Sequence, residues 1–501
     1  MDMLLILDFG GSQSQSVARR VRGERVYCEI ASYDISAEEI RAKAPKGLLL
    51  VGGVQDAWPE GAPDCAQEVY DLGLPMLCLG YGARIAVKHF GGTLMGPVLE
   101  KKPAHIEFAE NALFAGLSEC DRFLERADAW ELPEGFAPAA VGSGFEAAFA
   151  CAERQMYGLQ FYPEPNDPDG LQILGNFADI CGCAREWTVE NFIDAQIEKI
   201  KRQVGDGHAL IAISGGVDST VCAVLMHRAI GRNMHCVHVD TGLMRKDESA
   251  KIVRLFGDMG MDLRLVDAEE RFLGKLAGVT DPETKRRIIG EEFVRVFEEE
   301  AAKMGEADHL VQGTIYPDVL ESSGVGGAVV KSHHNVGGMP ETMHFSDLVE
   351  PLRELFKDEV RSLGIALGLP ADMVHRQPFP GPGLAVRCIG EVTKKKLDIL
   401  READAIFREE VAKAGLDKKI WQYFVVLTNM QSVGVRNGSR TYDYTAALRA
   451  INSIDAMTAT AVRLPYDLLE TCVDRITSEV PGINRVVYDI TGKPPATIEW
   501  E

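Results

Sequence analysis

Long apolar runs are the first thing this sequence lacks. The longest, such as Met3–Leu7 and Ala209–Ile213, fall far below the roughly 18 consecutive apolar residues of a membrane span. Positive charge is also scarce: 53 Lys and Arg stand against 75 Asp and Glu, a formal net charge of −22. That balance excludes broad attraction to nucleic acid or to an anionic membrane, so any phosphate must be held by local groups. Paired cysteine motifs are missing as well. Of eleven Cys only Cys181-Gly182-Cys183 is closely spaced, with no second pair to complete a zinc site, and reduced, buried thiols are expected. Internal repeats and low-complexity tracts are absent. What is present is ordinary globular material, 46% hydrophobic and 26% charged over 501 residues, enough for about three domains of ~100–200 residues each. The run Met1–Asp8 has no basic region and closes on an acid. It reads as a first β-strand rather than an export signal, and the expected compartment is the cytoplasm.

Residues 1–183 alternate strand-like and helix-like segments. Met3–Asp8, Gly47–Gly53, Pro75–Leu79 and Tyr157–Phe161 are short apolar runs ending in Gly or near a charge, as expected of an α/β sheet buried on both faces. The periodicity breaks around Cys183. An amphipathic helix is expected over Thr188–Arg202, with Phe192, Ile193, Ile197 and Ile200 as its stripe. Residues 188–383 then read as a second doubly wound sheet: strands at His208–Ile213, Met234–Val239, Leu263–Val266 and His309–Gln312, helices at Ser219–Ile230, Glu248–Phe256 and Asp281–Lys303. A Gly-rich stretch from Ser322 to Gly338 reads as a lid. The Pro/Gly knot Pro378–Gly383 closes this block. Residues 384–501 read as a small α+β domain, with helices at Val392–Ala414 and Ser453–Arg463 and strands at Gln422–Thr428 and Asn484–Ile490.

The sharpest chemical signal is Ser214-Gly215-Gly216-Val217-Asp218-Ser219, directly after a strand and before a helix. Two Gly residues let backbone N–H groups converge on a phosphate, the two Ser add hydroxyl donors, and the helix points its positive end at the anion. The spacing is neither G-x-x-x-x-G-K-[ST] nor G-x-G-x-x-G. It resembles the PP-loop of the ATP pyrophosphatases, which adenylate a substrate oxygen and release pyrophosphate; in that resemblance Asp218 helps to hold Mg²⁺.

The likeness extends along the whole chain. Gln312–Val319, Lys331–Gly338, Phe379–Leu384 and the terminal Gly492–Glu501 resemble GMP synthetases of the glutamine-hydrolysing type. The resemblance implies a class I glutamine amidotransferase domain, an ATP pyrophosphatase domain and a carboxyl-terminal dimerisation domain. It implies adenylation of O2 of the base of XMP and displacement of AMP by ammonia. It places Ser214, Gly215, Gly216, Val217, Asp218, Ser219, Asp240, Gly313 and Asp318 around ATP, with Lys331, His333 and His334 reaching over the adenylate. Arg286, Pro380, Gly381, Gly383, Gln431, Lys493, Ile498 and Glu499 fall at the XMP site.

Several positions depart from that pattern. The nucleophile elbow G-x-C-x-G reads Cys78-Leu79-Gly80-Tyr81-Gly82, and the base motif reads Gln160-Phe161-Tyr162-Pro163-Glu164. Gly80 therefore replaces the nucleophilic Cys, Tyr162 replaces the His, and only Glu164 remains. A phenol with a pKa near 10 is a poor base at neutral pH. Arg84 stands where the family has Gln, the oxyanion loop reads Gly52-Gly53-Val54, and the stretch before Glu131 is shortened to Arg126–Trp130. Cys78 faces the same way as Gly80 but at a position expected to be buried. In the synthetase half, Gln431 occupies a family Arg expected on the XMP 5′-phosphate, where Arg436 or Arg440 is a substitute, and Gln377 replaces a His.

The expectation is therefore an ATP- and Mg²⁺-dependent ligase acting on XMP or a related purine nucleotide. Its ammonia would be free or delivered by a separate glutaminase. The chain is expected to be a homodimer without nucleic-acid or membrane partners. The rivals are adenylation of a different purine nucleotide, a non-catalytic regulatory paralogue, and a tRNA-thiolating PP-loop enzyme. The last needs catalytic cysteines near the nucleotide, whereas Cys222 and Cys236 read as packing residues.

Overall fold

The short apolar runs near the amino terminus become adjacent parallel strands, because each is apolar along its whole length and must be covered on both faces. In the structure, a computed structural model, residues 1–11, 13–53, 57, 61–163, 167–304, 307–323, 347–436, 438–453 and 456–501 are described. The chain divides into two compact units. One comprises Met1–Phe192 with the helix Tyr316–Ser323; the other comprises Ile193–Ile315 and the described residues from 347 onward.

The first unit is built on nine strands: β1 (Met3–Asp8), β2 (Tyr27–Ser32), β3 (Gly47–Gly52), β4 (Met76–Gly80), β5 (Thr93–Phe108), β6 (Glu119–Glu131), β7 (Ala137–Gly142), β8 (Phe145–Cys151) and β9 (Met156–Leu159). Their order is β2-β1-β3-β4-β9-β8-β7-β5-β6. The first five in that order are parallel, and β1, β3 and β4 are buried at every residue. The other four form an antiparallel extension that the strand–helix alternation does not announce. Along β6 buried and exposed residues alternate, so one face meets solvent and no continuous apolar run results. The helix Tyr316–Ser323 is fastened to this unit by Tyr316, whose phenol oxygen accepts the Ile30 N–H at 2.6 Å and whose ring lies 4.9 Å from the Arg22 guanidinium.

The second unit carries two sheets. Strands β10 (Ala209–Ala212), β11 (Met234–Asp240), β12 (Leu263–Asp267), β13 (His309–Val311) and β14 (Asp347–Val349) are all parallel, in the order β12-β11-β10-β13-β14. The order reverses between β10 and β13, which makes the carboxyl end of β10 a topological switch point, where α/β sheets bind ligands. The other sheet is a long antiparallel hairpin, β15 (Gln422–Arg436) and β16 (Ser439–Asn452). Short β17 (Thr460–Ala461) pairs antiparallel and β18 (Ile483–Asp489) parallel to β16. One cluster of buried side chains runs from Val237, Phe272 and Val296 to Leu397, Phe407 and Leu448 and so underlies both sheets.

The helices expected at Thr188–Arg202, Ser219–Ile230, Glu248–Phe256, Asp281–Lys303 and Val392–Ala414 are observed at Val189–Val204, Val217–Ile230, Glu248–Asp258, Pro282–Met304 and Lys394–Lys413. The helix expected over Ser453–Arg463 is not formed among the described residues. Thr460–Ala461 is strand, Ala459 and Lys493 exchange backbone hydrogen bonds of 2.9 and 2.8 Å, and the Val462 N–H donates to Ala450 at 2.9 Å. These pairings override the helix propensity of the alanines. The helix begins instead after Pro465, at Tyr466–Glu479. All eleven cysteines are free and buried, and no described helix is long and apolar enough to cross a membrane.

Candidate functional site

In the first unit the chemistry expected at an amidotransferase elbow can be followed atom by atom. β4 runs into the helix Tyr81–His89 through Gly80, at φ 57° and ψ −111°, so the sharp strand-to-helix turn is kept. The space a nucleophile would occupy is filled. A Cβ added at Gly80 would lie 1.8 Å from Tyr162 Oη and 2.8 Å from the Gly52 carbonyl oxygen. The Tyr162 hydroxyl donates to that same carbonyl. Burial pushes the Tyr162 phenol up to about 12, so it is neutral and cannot act as a base at neutral pH. Cys78 is fully buried, and burial raises its thiol far above the usual range, as the strand geometry predicts.

Arg84 is 1% exposed. Its Nη2 donates to the Gly53 carbonyl at 2.8 Å, and its Nε lies 3.4 Å from Oδ2 of fully buried Asp128. Asp128 also accepts from Arg126 Nε and Nη2 at 3.0 and 2.8 Å, and the Gln160 side chain brackets its backbone. The altered positions 84, 126 and 128 thus form one ion-paired network, which the sequence does not reveal because Arg84 lies on the helix Tyr81–His89 and its partner Asp128 on β6. Glu164 and Val54 lie outside the described residues.

In the second unit the Ser214–Ser219 loop joins β10 to the helix Val217–Ile230 at the switch point. Gly215 sits at φ +77°, and a Cβ there would meet Ile252 Cδ1 at 2.5 Å, so only Gly keeps this turn. Arg376 clamps it, donating to the Gly215 carbonyl and pairing with Glu248. The hydroxyls of Ser214 and Ser219 lie 3.2 Å apart, and Thr220 ties the first helical turn to the Gly216 carbonyl at 2.9 Å. Gly313, after β13, comes so close that a Cβ would touch Asp218 and Ser219 backbone atoms at 3.4 Å.

Asp218 pairs through Oδ2 with Lys357, the first residue of the helix Lys357–Ala366, while its Oδ1 is buried without a hydrogen-bond partner among the described residues. An unsatisfied carboxylate oxygen beside a phosphate-shaped loop fits Mg²⁺, which takes one or two carboxylates plus phosphate oxygens. Asp240 ends β11, and its Oδ1 accepts the Gly242 N–H at 3.0 Å. Asp318 lies in the Tyr316–Ser323 helix of the first unit, and Lys331, His333 and His334 lie outside the described residues. Neither Lys357 nor Arg376 is singled out by sequence reading; the only signal is that each is a cation at a helix end, Lys357 opening Lys357–Ala366 and Arg376 two residues past Ala371–Val374.

Of the residues assigned to the acceptor, Lys493, Ile498 and Glu499 lie in the terminal segment and Arg286 reaches it. Glu499 receives a two-pronged bond from fully buried Arg387, and Arg286 donates to the Glu501 carbonyl at 2.5 Å. Lys493 Nζ donates to the Ala456 carbonyl at 2.9 Å, and Ile498 packs against Phe424, Val426 and Ala447. Pro380 is half-buried and Gly381 exposed. Gly383, at φ +62°, would drive a Cβ to 2.4 Å from the Leu243 carbonyl oxygen. Gln377 accepts the Tyr423 N–H at 3.1 Å and so holds the start of β15. Gln431 is exposed on β15. Arg436 is committed to the Thr477 and Val480 carbonyls at the end of the Tyr466–Glu479 helix, which leaves exposed Arg440 as the substitute cation.

Residues 5–180 match the family described as "Glutamine amidotransferase class-I", and residues 409–500 match "GMP synthase C terminal domain". Proteins called "GMP synthase [glutamine-hydrolyzing]" from Acetivibrio thermocellus, Clostridium novyi and Caldicellulosiruptor saccharolyticus are each 52% identical to this chain, over 100% of it and 99% of their own length. Identity at that level along the full length of all three relatives places the chain in the family of glutamine-hydrolysing GMP synthases.

Proposed function

We propose that this chain is an ATP-dependent ligase that adenylates XMP and aminates it to GMP, releasing AMP and pyrophosphate. The observation that carries the reading is the intact Ser214–Ser219 cradle at the switch point, with an unsatisfied Asp218 oxygen beside it. In this reading O2 of the base attacks the α-phosphorus of ATP and pyrophosphate leaves. Ammonia then attacks C2, AMP departs with the former O2, and the nitrogen loses its excess protons to solvent.

The backbone N–H groups of Gly215, Gly216 and Val217, the hydroxyls of Ser214 and Ser219, and the positive end of the Val217–Ile230 helix hold the phosphates. Asp218 would hold Mg²⁺, whose chemistry is to neutralise charge gathering on the leaving pyrophosphate. Asp240 and Gly313 complete the ATP site. Lys331, His333 and His334 keep the role of stabilising the transferring group. Arg286, Pro380, Gly381, Gly383, Lys493, Ile498 and Glu499 take the acceptor.

The ammonia is free or supplied by a separate glutaminase. Gly80 offers no nucleophile, the buried Tyr162 phenol fills its space, and Arg84 and Asp128 occupy the ground beneath it. The chain is organised in three parts with boundaries near residues 183–188 and 383, acts in the cytoplasm and pairs as a homodimer. Exposed apolar side chains on the β15–β16 hairpin, Val435 at 76% and Tyr442 at 69%, support the last point.

The test is purified protein with XMP, ATP and Mg²⁺, supplied with ammonium or with glutamine. GMP should form with ammonium and not with glutamine. Equal rates would refute the loss of glutaminase, and no GMP with either would refute the synthetase reading. The commitment of Arg436 to helix carbonyls favours a second reading, adenylation of a purine nucleotide without a 5′-phosphate contact at Gln431. AMP release screened across purine nucleotides separates the two.

A further inference from the structure

Two loops must be held in register for the proposed reaction, the phosphate loop after β10 and the Pro/Gly knot Pro378–Gly383, and one side chain joins them. Arg376, 161 positions beyond Gly215, opens the segment that runs through Gln377 into the knot. Its Nη1 donates to the Gly215 carbonyl and its Nη2 to Glu248 Oε1. The side chains of Arg376 and Glu248 are 14% and 11% exposed, so water competes little for either bond. The Gly215 carbonyl shares a peptide plane with the Gly216 N–H, and in a trans peptide the two point in opposite directions. Holding the carbonyl outward therefore turns the N–H inward, and it is directed at Ser214 Oγ, 3.4 Å away inside the cradle. Gly215 has no side chain and sits at φ +77°, so it resists a flip of that peptide poorly. The fork supplies the stiffness that the glycine lacks.

The knot is tied to the same elements at two further points. The Leu384 N–H donates to the Leu243 carbonyl at 2.8 Å, and the Phe379 ring centroid lies 4.2 Å from the Arg245 guanidinium. Leu243 and Arg245 belong to the connection between β11, which ends in Asp240, and the helix Glu248–Asp258, whose first residue is the partner of Arg376. The Arg245 N–H in turn donates to Glu248 Oε2 at 3.2 Å. Start, middle and end of the knot are thus fastened to the phosphate loop and to the connection that follows Asp240.

We infer that Arg376 is a positioning residue that registers the knot against the phosphate loop, one arm of its fork fixing the Gly215–Gly216 peptide and the other fixing Glu248. This rests on the reading that the loop takes ATP and the knot takes the acceptor. Transfer to the α-phosphorus needs the attacking oxygen roughly 3–3.5 Å away and aligned, and an error of about 1 Å costs about 10²-fold in rate. A rigid planar fork suits that task because it sets angle as well as distance, whereas an ammonium is a single point of charge.

The experiment is steady-state AMP release by the full chain with XMP, ATP, Mg²⁺ and ammonium, for wild type, Arg376→Met, Arg376→Lys, Glu248→Gln and the double variant Arg376→Met with Glu248→Gln. Arg376→Met should lower kcat about 10²-fold while KM for ATP and for XMP each change by less than about threefold. Arg376→Lys, which can hold one partner but not both, should recover no more than roughly a tenth of the wild-type kcat. Glu248→Gln keeps an acceptor for the fork but not the charge and should lower kcat roughly tenfold; it decides the matter if Arg376→Met folds poorly. The double variant should be no slower than Arg376→Met, because both changes cut one link. A KM for ATP that rises while kcat holds overturns the proposal, since Arg376 would then serve binding alone. Wild-type kcat in Arg376→Lys or in Glu248→Gln overturns it too, as do additive losses in the double variant. A wild-type chain that releases no AMP with any purine nucleotide overturns the functional reading and this proposal with it, whereas an active wild type with an equally active Arg376→Met overturns this proposal alone.

Discussion

Restoring a thiol at the elbow by Gly80→Cys should damage the first unit rather than revive it, and the damage can be apportioned. Two costs arise. The backbone at φ 57°, ψ −111° is one that L-residues adopt only under strain, about 1–3 kcal/mol. The new Cβ would sit 1.8 Å from Tyr162 Oη and 2.4 Å from Cζ, so the ring must leave its place. That breaks its bond to the Gly52 carbonyl, about 1 kcal/mol, and adds overpacking of about 1–3 kcal/mol. The sum is about 3–7 kcal/mol, a large part of the stability of a domain. In a Tyr162→His background the second cost largely disappears. A double-mutant cycle should therefore show coupling of about 2–4 kcal/mol. Because the chain has two units, global melting is not two-state; amide hydrogen exchange across Met76–Tyr81 reads the local opening free energy. If Gly80→Cys costs the same with Tyr162 present as with it replaced, the steric argument is wrong. Even the double variant should release no glutamate from glutamine, since Arg84 and Asp128 still occupy the ground beneath the elbow.

Asp218→Asn should reduce Mg²⁺-dependent AMP formation by about 10²-fold or more while costing only the partly exposed ion pair with Lys357, about 0–1 kcal/mol; a variant that keeps its rate would dissociate Asp218 from the metal. Arg84→Gln leaves fully buried Asp128 with Arg126 alone and should cost about 2–4 kcal/mol in urea unfolding, so a loss under 0.5 kcal/mol would contradict the network. His235 is held below the usual histidine value of about 6.5 by burial first and by the adjacent His208 second, the two rings sharing a 2.9 Å contact. With the folded pKa depressed, the unfolded chain takes up the proton first. Stability should be full above about pH 6.5 and fall as pH drops toward the lowered value; His235→Gln should flatten the urea midpoint across that window.

The parallel strands and the ATP loop were legible because each is written in contiguous sequence. β1 and β4 are unbroken apolar runs, and Ser214–Ser219 carries its chemistry within one turn. The antiparallel extension was not, because a strand such as β6 exposes alternate residues and shows no continuous run. The expected helix at Ser453–Arg463 failed for a related reason: local propensity favours helix, but the backbone of Ala459 is claimed by Lys493, 34 positions later. At the sites, replaced residues could be read off one by one, yet what replaced their function could not. Nothing in the motif around Arg84 announces Asp128, and nothing near Phe379 announces that Arg387 reaches Glu499. Such pairings belong to the fold and leave no local spacing to detect.

On the proposed function, the elbow keeps its fold without its chemistry. A turn at positive φ is costly for the residue that sits there, and an amidotransferase has reason to bear that cost because the turn exposes its nucleophile. Once nothing is required of that side chain, Gly is the one residue that holds the same turn without strain. Removing a Cys side chain opens a void beside the Gly52 carbonyl, and a phenol in place of an imidazole both fills it and satisfies that carbonyl. Gly80 and Tyr162 are therefore a matched pair: each is tolerable because of the other, and either alone would leave a cavity or a clash. The same logic applies to Arg84 and Asp128, a cation and an anion that are both fully out of water, with Arg126 on the same carboxylate. A site rebuilt in complementary pairs is costly to reverse by single substitutions. On that argument the first unit is retained as folded structure rather than as a glutaminase awaiting one mutation, and a screen of single substitutions for regained glutamine hydrolysis should return none.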